Sequence, residues 1–384
     1  MKFRSKLMLL FVVVTGALSA QNTSNVITTA TPFLTIAPDS RSSAMGDIGV
    51  STSADFNSQY WNAAKYPYNT DEFGFTFSYT PWLRALVNDI GLFYLSGYYK
   101  LSDLHAVSAS MKYFSLGEIQ WTDETGFGLG TIKPNEFALD AAYSRKFSDY
   151  VTGAVTFRYI YSDLSGGATQ QGSEDYRAGS SFAADMSTFY TRETEISGYD
   201  VNYNVGLSIT NLGQKMSYNE TEQYFLPTTL RLGTTWGMVI DEYNKLSASV
   251  EFSKLLVPTP GGYDAANAEN DAQIRNDMNV LVGAVRSFGD APGGFKEEMQ
   301  EIMWSAGLEY VYDEMFFIRG GYYHESAIKG NRTFFSAGAG FKMNVLSLDV
   351  SYLIPTDSTS PLANTLRFTL SFGVDGLQKM INGQ

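Results

Sequence analysis

Residues 364–373 read Asn-Thr-Leu-Arg-Phe-Thr-Leu-Ser-Phe-Gly, so that Leu366, Phe368, Leu370 and Phe372 alternate with Thr365, Arg367, Thr369 and Ser371. A period of two places the two sets on opposite faces of a β-strand, one apolar and uncharged, the other polar. The pattern returns at Val201, Tyr203, Val205, Leu207 and Ile209, interleaved with Asn202, Asn204, Gly206, Ser208 and Thr210. It returns again at Leu246, Ala248, Val250 and Phe252, and at Leu346, Leu348, Val350 and Tyr352. A soluble sandwich gives the same alternation with its apolar face inward. Length separates the two. These runs reach roughly 9–12 residues, as a tilted membrane strand requires, whereas soluble strands average about 5–6. The sequence therefore reads as an all-β, transmembrane outer-membrane β-barrel with Leu207, Val250, Leu348 and Leu370 toward lipid.

About fourteen antiparallel strands are predicted, near 73–80, 89–100, 105–114, 136–147, 151–161, 181–192, 200–211, 228–238, 244–254, 303–312, 315–325, 333–344, 345–354 and 364–373. Connections at 101–104, 148–150, 241–243 and 313–314 are short, while those at 115–135, 162–180, 212–227 and 255–302 are long. Short periplasmic turns with long extracellular loops are the outer-membrane pattern. The turn at 193–199 is longer than its peers. By the same alternation Lys112, Asp140, Arg158, Arg231, Glu251, Glu309, Arg319, Lys342, Asp349 and Arg367 face inward. Both signs are mixed, which suits pairing across a filled lumen, because unpaired buried charge is costly. A charge-lined pore is the other reading.

Composition agrees. The chain of 384 residues has 17% charged and 15% aromatic residues, with 25 Tyr and 26 Phe against 5 Trp. Its mean hydropathy is −0.14, as expected when residues alternate between lipid and water. Cysteine is absent, which excludes a disulfide framework, a thiolate metal site and a lipidated N-terminal Cys. Lys2, Arg4 and Lys6 precede the apolar run 7–14, and Leu18-Ser19-Ala20 follows it. Residues 1–20 thus read as a signal peptide cleaved before Gln21. Loss of three basic residues would take the formal charge from −13 to −16, a poor balance for nucleic acid. No other apolar run approaches the ~20 residues of a spanning helix.

Residues 21–72 lack sustained alternation yet are too rich in Gly, Trp and small residues for a disordered linker. They read as a hatch folded into the barrel mouth from the periplasmic side, or as a strap outside it. Its candidate residues are Asp39, Arg41, Met45, Gly46, Tyr60, Trp61 and Asn62. The barrel would occupy 73–373 and a periplasmic tail 374–384. Trp121, Phe127, Leu129, Tyr224, Phe225, Leu255, Leu256 and Val257 lie in or beside long loops. Apolar groups there pack either on a partner or on one another. Catalytic chemistry is not legible: there is no G-x-S-x-G or H-E-x-x-H, and His105 and His324 fall near opposite membrane faces. The acidic stretch 264–271 lacks EF-hand spacing, so no metal, cofactor or catalytic residue is assigned.

Residues 37–50, APDSRSSAMGDIGV, and 58–64, SQYWNAA, resemble the hatch of the FadL-like outer-membrane barrels, with Ala63 standing where that family usually has proline. A narrower set is similar to the PorV family: residues 115–149, NLGQKMSYN at 211–219, LPTTLRLG at 226–233, KLLVPTP at 254–260, 293–310 and 330–355. The resemblance runs in order from Thr31 to Phe372. It implies fourteen strands with a hatch in the outer membrane of Bacteroidetes. It also implies a type IX secretion barrel that takes cargo by C-terminal signal domains from the translocon to a sortase-like attachment complex. The contact surface it implies is the extracellular loops. A FadL-like importer of hydrophobic small molecules is the alternative, against which the polar start QNTSN counts.

Overall fold

The computed structural model describes residues 25–373 apart from 85, 86, 88, 123, 124, 126, 127, 167–176, 220, 221, 358 and 359. The expected signal peptide and C-terminal tail lie outside the described residues. The strands are β1 (Phe73–Pro81), β2 (Gly91–Ser102), β3 (His105–Ser115), β4 (Ile119–Thr122), β5 (Gly128–Ile132), β6 (Asn135–Lys146), β7 (Val151–Asp163), β8 (Gly179–Ile196), β9 (Tyr199–Gly213), β10 (Thr229–Val239), β11 (Asn244–Leu255), β12 (Met303–Tyr312), β13 (Phe316–His324), β14 (Thr333–Met343), β15 (Leu346–Pro355) and β16 (Leu366–Gly373). Fourteen of them close an antiparallel barrel, while β4 and β5 form a separate hairpin in the β3–β6 loop. Closure joins β1 to β16 in the register Phe75↔Phe372, whose rings stack at 4.8 Å. A closed barrel leaves no unpaired edge, which is what permits backbone to sit in hydrocarbon. Among the described residues no helix is long and apolar enough to cross a membrane.

The alternation resolves in the membrane sense. Along β16 Arg367, Thr369 and Ser371 are buried, while Leu366 and Phe368 are exposed on the outside. Leu207 and Leu348 are likewise exposed and their polar neighbours Ser208 and Asp349 buried. An inverted surface of this kind is stable only against lipid. Outward aromatic pairs such as Phe316–Phe341 (5.1 Å) and Trp304–Tyr322 (5.3 Å) lie toward opposite ends of the wall, as an interfacial girdle does.

The 193–199 turn is shorter than the sequence suggests. Strand β8 runs on to Ile196, which pairs with Tyr199. Only Ser197 (φ 55°) and Gly198 (φ 84°) remain, both left-handed, the conformation a two-residue hairpin turn demands. Residues 255–302, expected as one loop, instead carry helices Ala268–Asp277, Val280–Arg286 and Phe295–Gln300.

Candidate functional site

The N-terminal segment lies inside the barrel. Asp39 caps the short helix Ser40–Ala44 by accepting from the Ser42 N–H (2.9 Å), and it accepts from Trp61 Nε1 at 2.6 Å. Both side chains are fully buried. Asn62 Nδ2 donates to the Val50 and Thr188 carbonyls, each at 2.9 Å, so one amide ties the segment to itself and to β8. Tyr60 OH donates to the Leu34 carbonyl at 3.0 Å. Gly46 N–H donates to Ser336 Oγ at 2.9 Å. Glu251 of β11 accepts from the consecutive Gly49 and Val50 N–H groups at 2.9 and 3.0 Å, a small anion-binding nest.

Charge and shape hold this seat. Arg41 pairs with Asp55 (3.0 Å) and Glu309 (2.9 Å), and Glu309 also meets Arg319 (2.6 Å), which reaches Asp349. Arg158 pairs with Asp140 (2.7 Å) and Asp185 (2.9 Å). Arg231 pairs with Glu251 (3.4 Å) and Arg367 with Asp47 of the segment (3.9 Å), so the expected inward charges other than Lys112 and Lys342 pair with one another or with the segment. Lys112 is the exception in kind: its Nζ donates to the Leu34 and Ile36 carbonyls (3.2 and 2.6 Å) and lies 4.5 Å from the Tyr60 ring centre. Inward-facing Gly206, Gly233, Gly307, Gly321 and Gly338 give the segment room. A Cβ on Gly206 would overlap the Val50 carbonyl, and one on Gly321 would overlap Met45 backbone. Glycine on the polar face of a strand was the sequence signal for this contact.

Three loops and the start of the segment form a lid over the end of the barrel opposite the short turns. Ala30 N–H donates to the Phe225 carbonyl (2.8 Å) of the β9–β10 loop. Lys215 Nζ donates to the Arg275 and Asn276 carbonyls (3.0 and 2.8 Å) of the β11–β12 loop. Lys329 of the β13–β14 loop pairs with Glu297 (2.6 Å) and Glu301 (2.9 Å), and Lys254 pairs with Glu298 (2.8 Å) and Glu301. Beneath them Phe225, Val257 and Met278 form an apolar core with Ile27, Tyr263, Ile274 and Val280 against it.

The lid revises the expected contact surface. Phe225, Leu256 and Val257 are buried, because the helices of the β11–β12 loop close over them and remove their apolar area from water. Leu255 is half-buried against the cluster of Met303, Tyr323, Phe334 and Leu353. Tyr224 is exposed, with its hydroxyl donating to Glu222. Phe127 and the side chains of Trp121 and Leu129 lie outside what the structure describes. In the β11–β12 loop the exposed apolar groups are Leu281, Val282, Val285 (74% exposed), Phe288, Phe295 (80%) and Met299. Leu281 and Val285, four residues apart in the helix Val280–Arg286, share one helical face, and Phe288 follows just past its end. The apolar run 280–285, lacking strand alternation, was the available signal.

The family model for the type IX secretion system protein PorV matches residues 19–262, which span the lumen segment and strands β1 to β11. The chain belongs to the PorV family. It is an outer-membrane component of type IX secretion. Among curated proteins, none matches the chain. Three solved barrels are similar to this PorV-family chain in outline. The Pseudomonas putida toluene transporter TodX has 10% identity and a TM-score of 0.47, over 86% of this chain and 95% of that one. The Ralstonia pickettii toluene transporter TbuX has 10% identity and a TM-score of 0.45, over 86% and 96%. A Pseudomonas aeruginosa FadL homologue has 9% identity and a TM-score of 0.44, over 91% and 100%. At these values the likeness carries no reading of what a PorV-family barrel binds.

Two further features of the PorV-family barrel concern chemistry. His105 Nδ1 shares a 2.6 Å hydrogen bond with Tyr143 OH at the short-turn end, while His324 packs beside the Trp304 ring (5.5 Å) at the lid end. They share no site. Asp290, Glu298 and Glu301 each bring an oxygen within 4.8 Å of the others. Lys254 and Lys329 already pair with Glu298 and Glu301, and Thr259 N–H and Tyr263 OH donate to Asp290. The group reads as an ionic staple across the lid. Burial pushes the Asp290 carboxyl up from its ordinary value.

Proposed function

We infer that this PorV-family barrel binds cargo proteins through their C-terminal signal domains and passes them from the type IX translocon to a sortase-like attachment complex. The observation that carries this reading is the exposed apolar face on the lid, at Leu281, Val282, Val285, Phe288, Phe295 and Met299. Large apolar groups exposed on a well-packed base are what a protein partner covers. The chain segment seated in the lumen supports binding over import of hydrophobic small molecules, because it occupies the barrel interior and leaves beside it a cavity of about 460 Å³ lined by Arg41, Asp55, Glu309 and Lys342 together with Met45, Phe56, Val311 and Phe317. The reading takes 1–20 as a cleaved leader, 21–72 as a hatch, 73–373 as the barrel and 374–384 as a periplasmic tail. No catalytic role is assigned.

The test is pull-down of the protein carrying Val285→Ser and Phe295→Ser together. The barrel should insert and stay heat-modifiable on gels. Two anchors worth upward of about 1 kcal/mol each predict a loss of co-purified cargo or translocon of at least about tenfold. Undiminished co-purification removes the lid face from the interface.

A further inference from the structure

The lumen segment is anchored at both ends of the barrel. At its start Asn25 N–H donates to the Ile328 carbonyl (2.8 Å) of the β13–β14 loop, and Asn25 Nδ2 donates to the Pro260 carbonyl (3.1 Å) and Glu297 Oε1 (2.8 Å) of the β11–β12 loop. These are lid residues. Below them Lys112 holds the Leu34 and Ile36 carbonyls. Lower still, 44–51 press on the inward glycines of β9 to β14 and on Glu251. At the far end Tyr68 OH donates to the Asp149 carbonyl (3.3 Å) in the β6–β7 turn, and Lys100 N–H to the Glu72 carbonyl (2.8 Å). Those are short-turn residues, and β1 begins there. The segment therefore does not enter and return from one mouth. It runs the length of the lumen.

We propose that residues 25–28 belong to the cell-surface face of this protein, reached through its own barrel, and that the chain crosses from outside to periplasm before its first strand. The inference rests on the outer-membrane placement of the family and not on the partner reading. Three observations converge. Short turns mark the periplasmic side. Val26 and Thr28 are exposed beside a lid built from the β9–β10, β11–β12 and β13–β14 loops, at the end opposite the short turns. Glu297, which Asn25 contacts, sits on the same short helix as the exposed Phe295 and Met299, so the chain's outer end adjoins the apolar face. The physical consequence is a barrel occupied end to end by covalently attached chain, with the lid tied to the lumen filling. No conformational change confined to the loops would open a path.

The absence of cysteine makes the test direct. Full-length Val26→Cys and Thr70→Cys, both at exposed positions of one segment, are placed singly in a heterologous outer membrane lacking the secretion partners. Intact cells are treated with a membrane-impermeant maleimide, and folding is checked by heat-modifiability. Val26→Cys should be labelled in intact cells, and Thr70→Cys only after the outer membrane is permeabilised. Failure of Val26→Cys to react in intact cells, or reaction of Thr70→Cys there, overturns the through-lumen topology. Either failure leaves the lid as a partner surface untouched.

Discussion

At the residue scale, Arg41 ties the lumen segment to the barrel wall. Its guanidinium bridges Asp55 of its own segment and Glu309 of β12, and its planar fork suits two carboxylates at once. The pair with Glu309 is shielded from solvent, so removing the cation leaves carboxylates that the low-dielectric interior penalises. Replacement Arg41→Met should therefore destabilise the folded barrel by about 3–5 kcal/mol, the range for breaking a buried pair. Urea unfolding of detergent-refolded protein measures this, and a change below about 1 kcal/mol, the ceiling for a surface pair, would show that the bridge is solvent-screened. Lys112 shows a second way to keep a buried cation: it binds carbonyl dipoles and an aromatic face, each a favourable site for an ammonium.

At the element scale, the β11–β12 loop departs furthest from an ordinary connection. It is a helical lid with its own apolar core at Phe225, Val257 and Met278, stapled by Lys254 and Lys329 to Glu297, Glu298 and Glu301. Burial raises the Glu297 carboxyl, but the hydrogen bonds from Lys329, Asn25 and the Gly293 N–H outweigh it, and the net shift is downward. A carboxylate depressed in the folded state contributes stability above its unfolded value and loses it as pH falls through the folded value. Relative to Glu297→Gln, the wild-type lid should be more stable at neutral pH. That advantage should decline once pH falls below the ordinary glutamate value of about 4.3. Thermal scans of both proteins between neutral and acid pH read it out. A difference that grows on acidification would contradict the downward shift of the Glu297 carboxyl.

At the scale of the whole molecule, the barrel is inside-out relative to a soluble fold. Polar and charged groups fill the lumen and apolar groups cover the wall. Leu207 is exposed near the middle of β9, whereas Leu348 is exposed near the short-turn end of β15. Charge on a lipid face is penalised by depth, about 2–4 kcal/mol at mid-bilayer and about 0–1 near the interfaces. Leu207→Arg should therefore cost about 2–4 kcal/mol of folding stability in bilayers and Leu348→Arg distinctly less. Equal costs measured by reversible folding into vesicles would contradict the depth assigned to the two strands.

Local pattern along the chain was enough to specify the wall. A period of two, sustained over strands long enough to tilt across a bilayer, depends on local alternation alone, and so do short turns opposite long loops. Fourteen barrel strands, their inward charges and their order were legible for that reason. The residues of the lumen segment, from Asp39 to Asn62, were legible as a group through composition and resemblance, but not their full path. Tertiary structure alone decided three things. It ran the segment to the lid, because hydrogen bonds such as Asn25 to Pro260 join residues far apart in sequence. It buried Phe225, Leu256 and Val257, because a loop's apolar side chains are sheltered or exposed according to what folds over them. It left Val285 and Phe295 in water instead, since helices too short to stand alone take their orientation from the packed base beneath them.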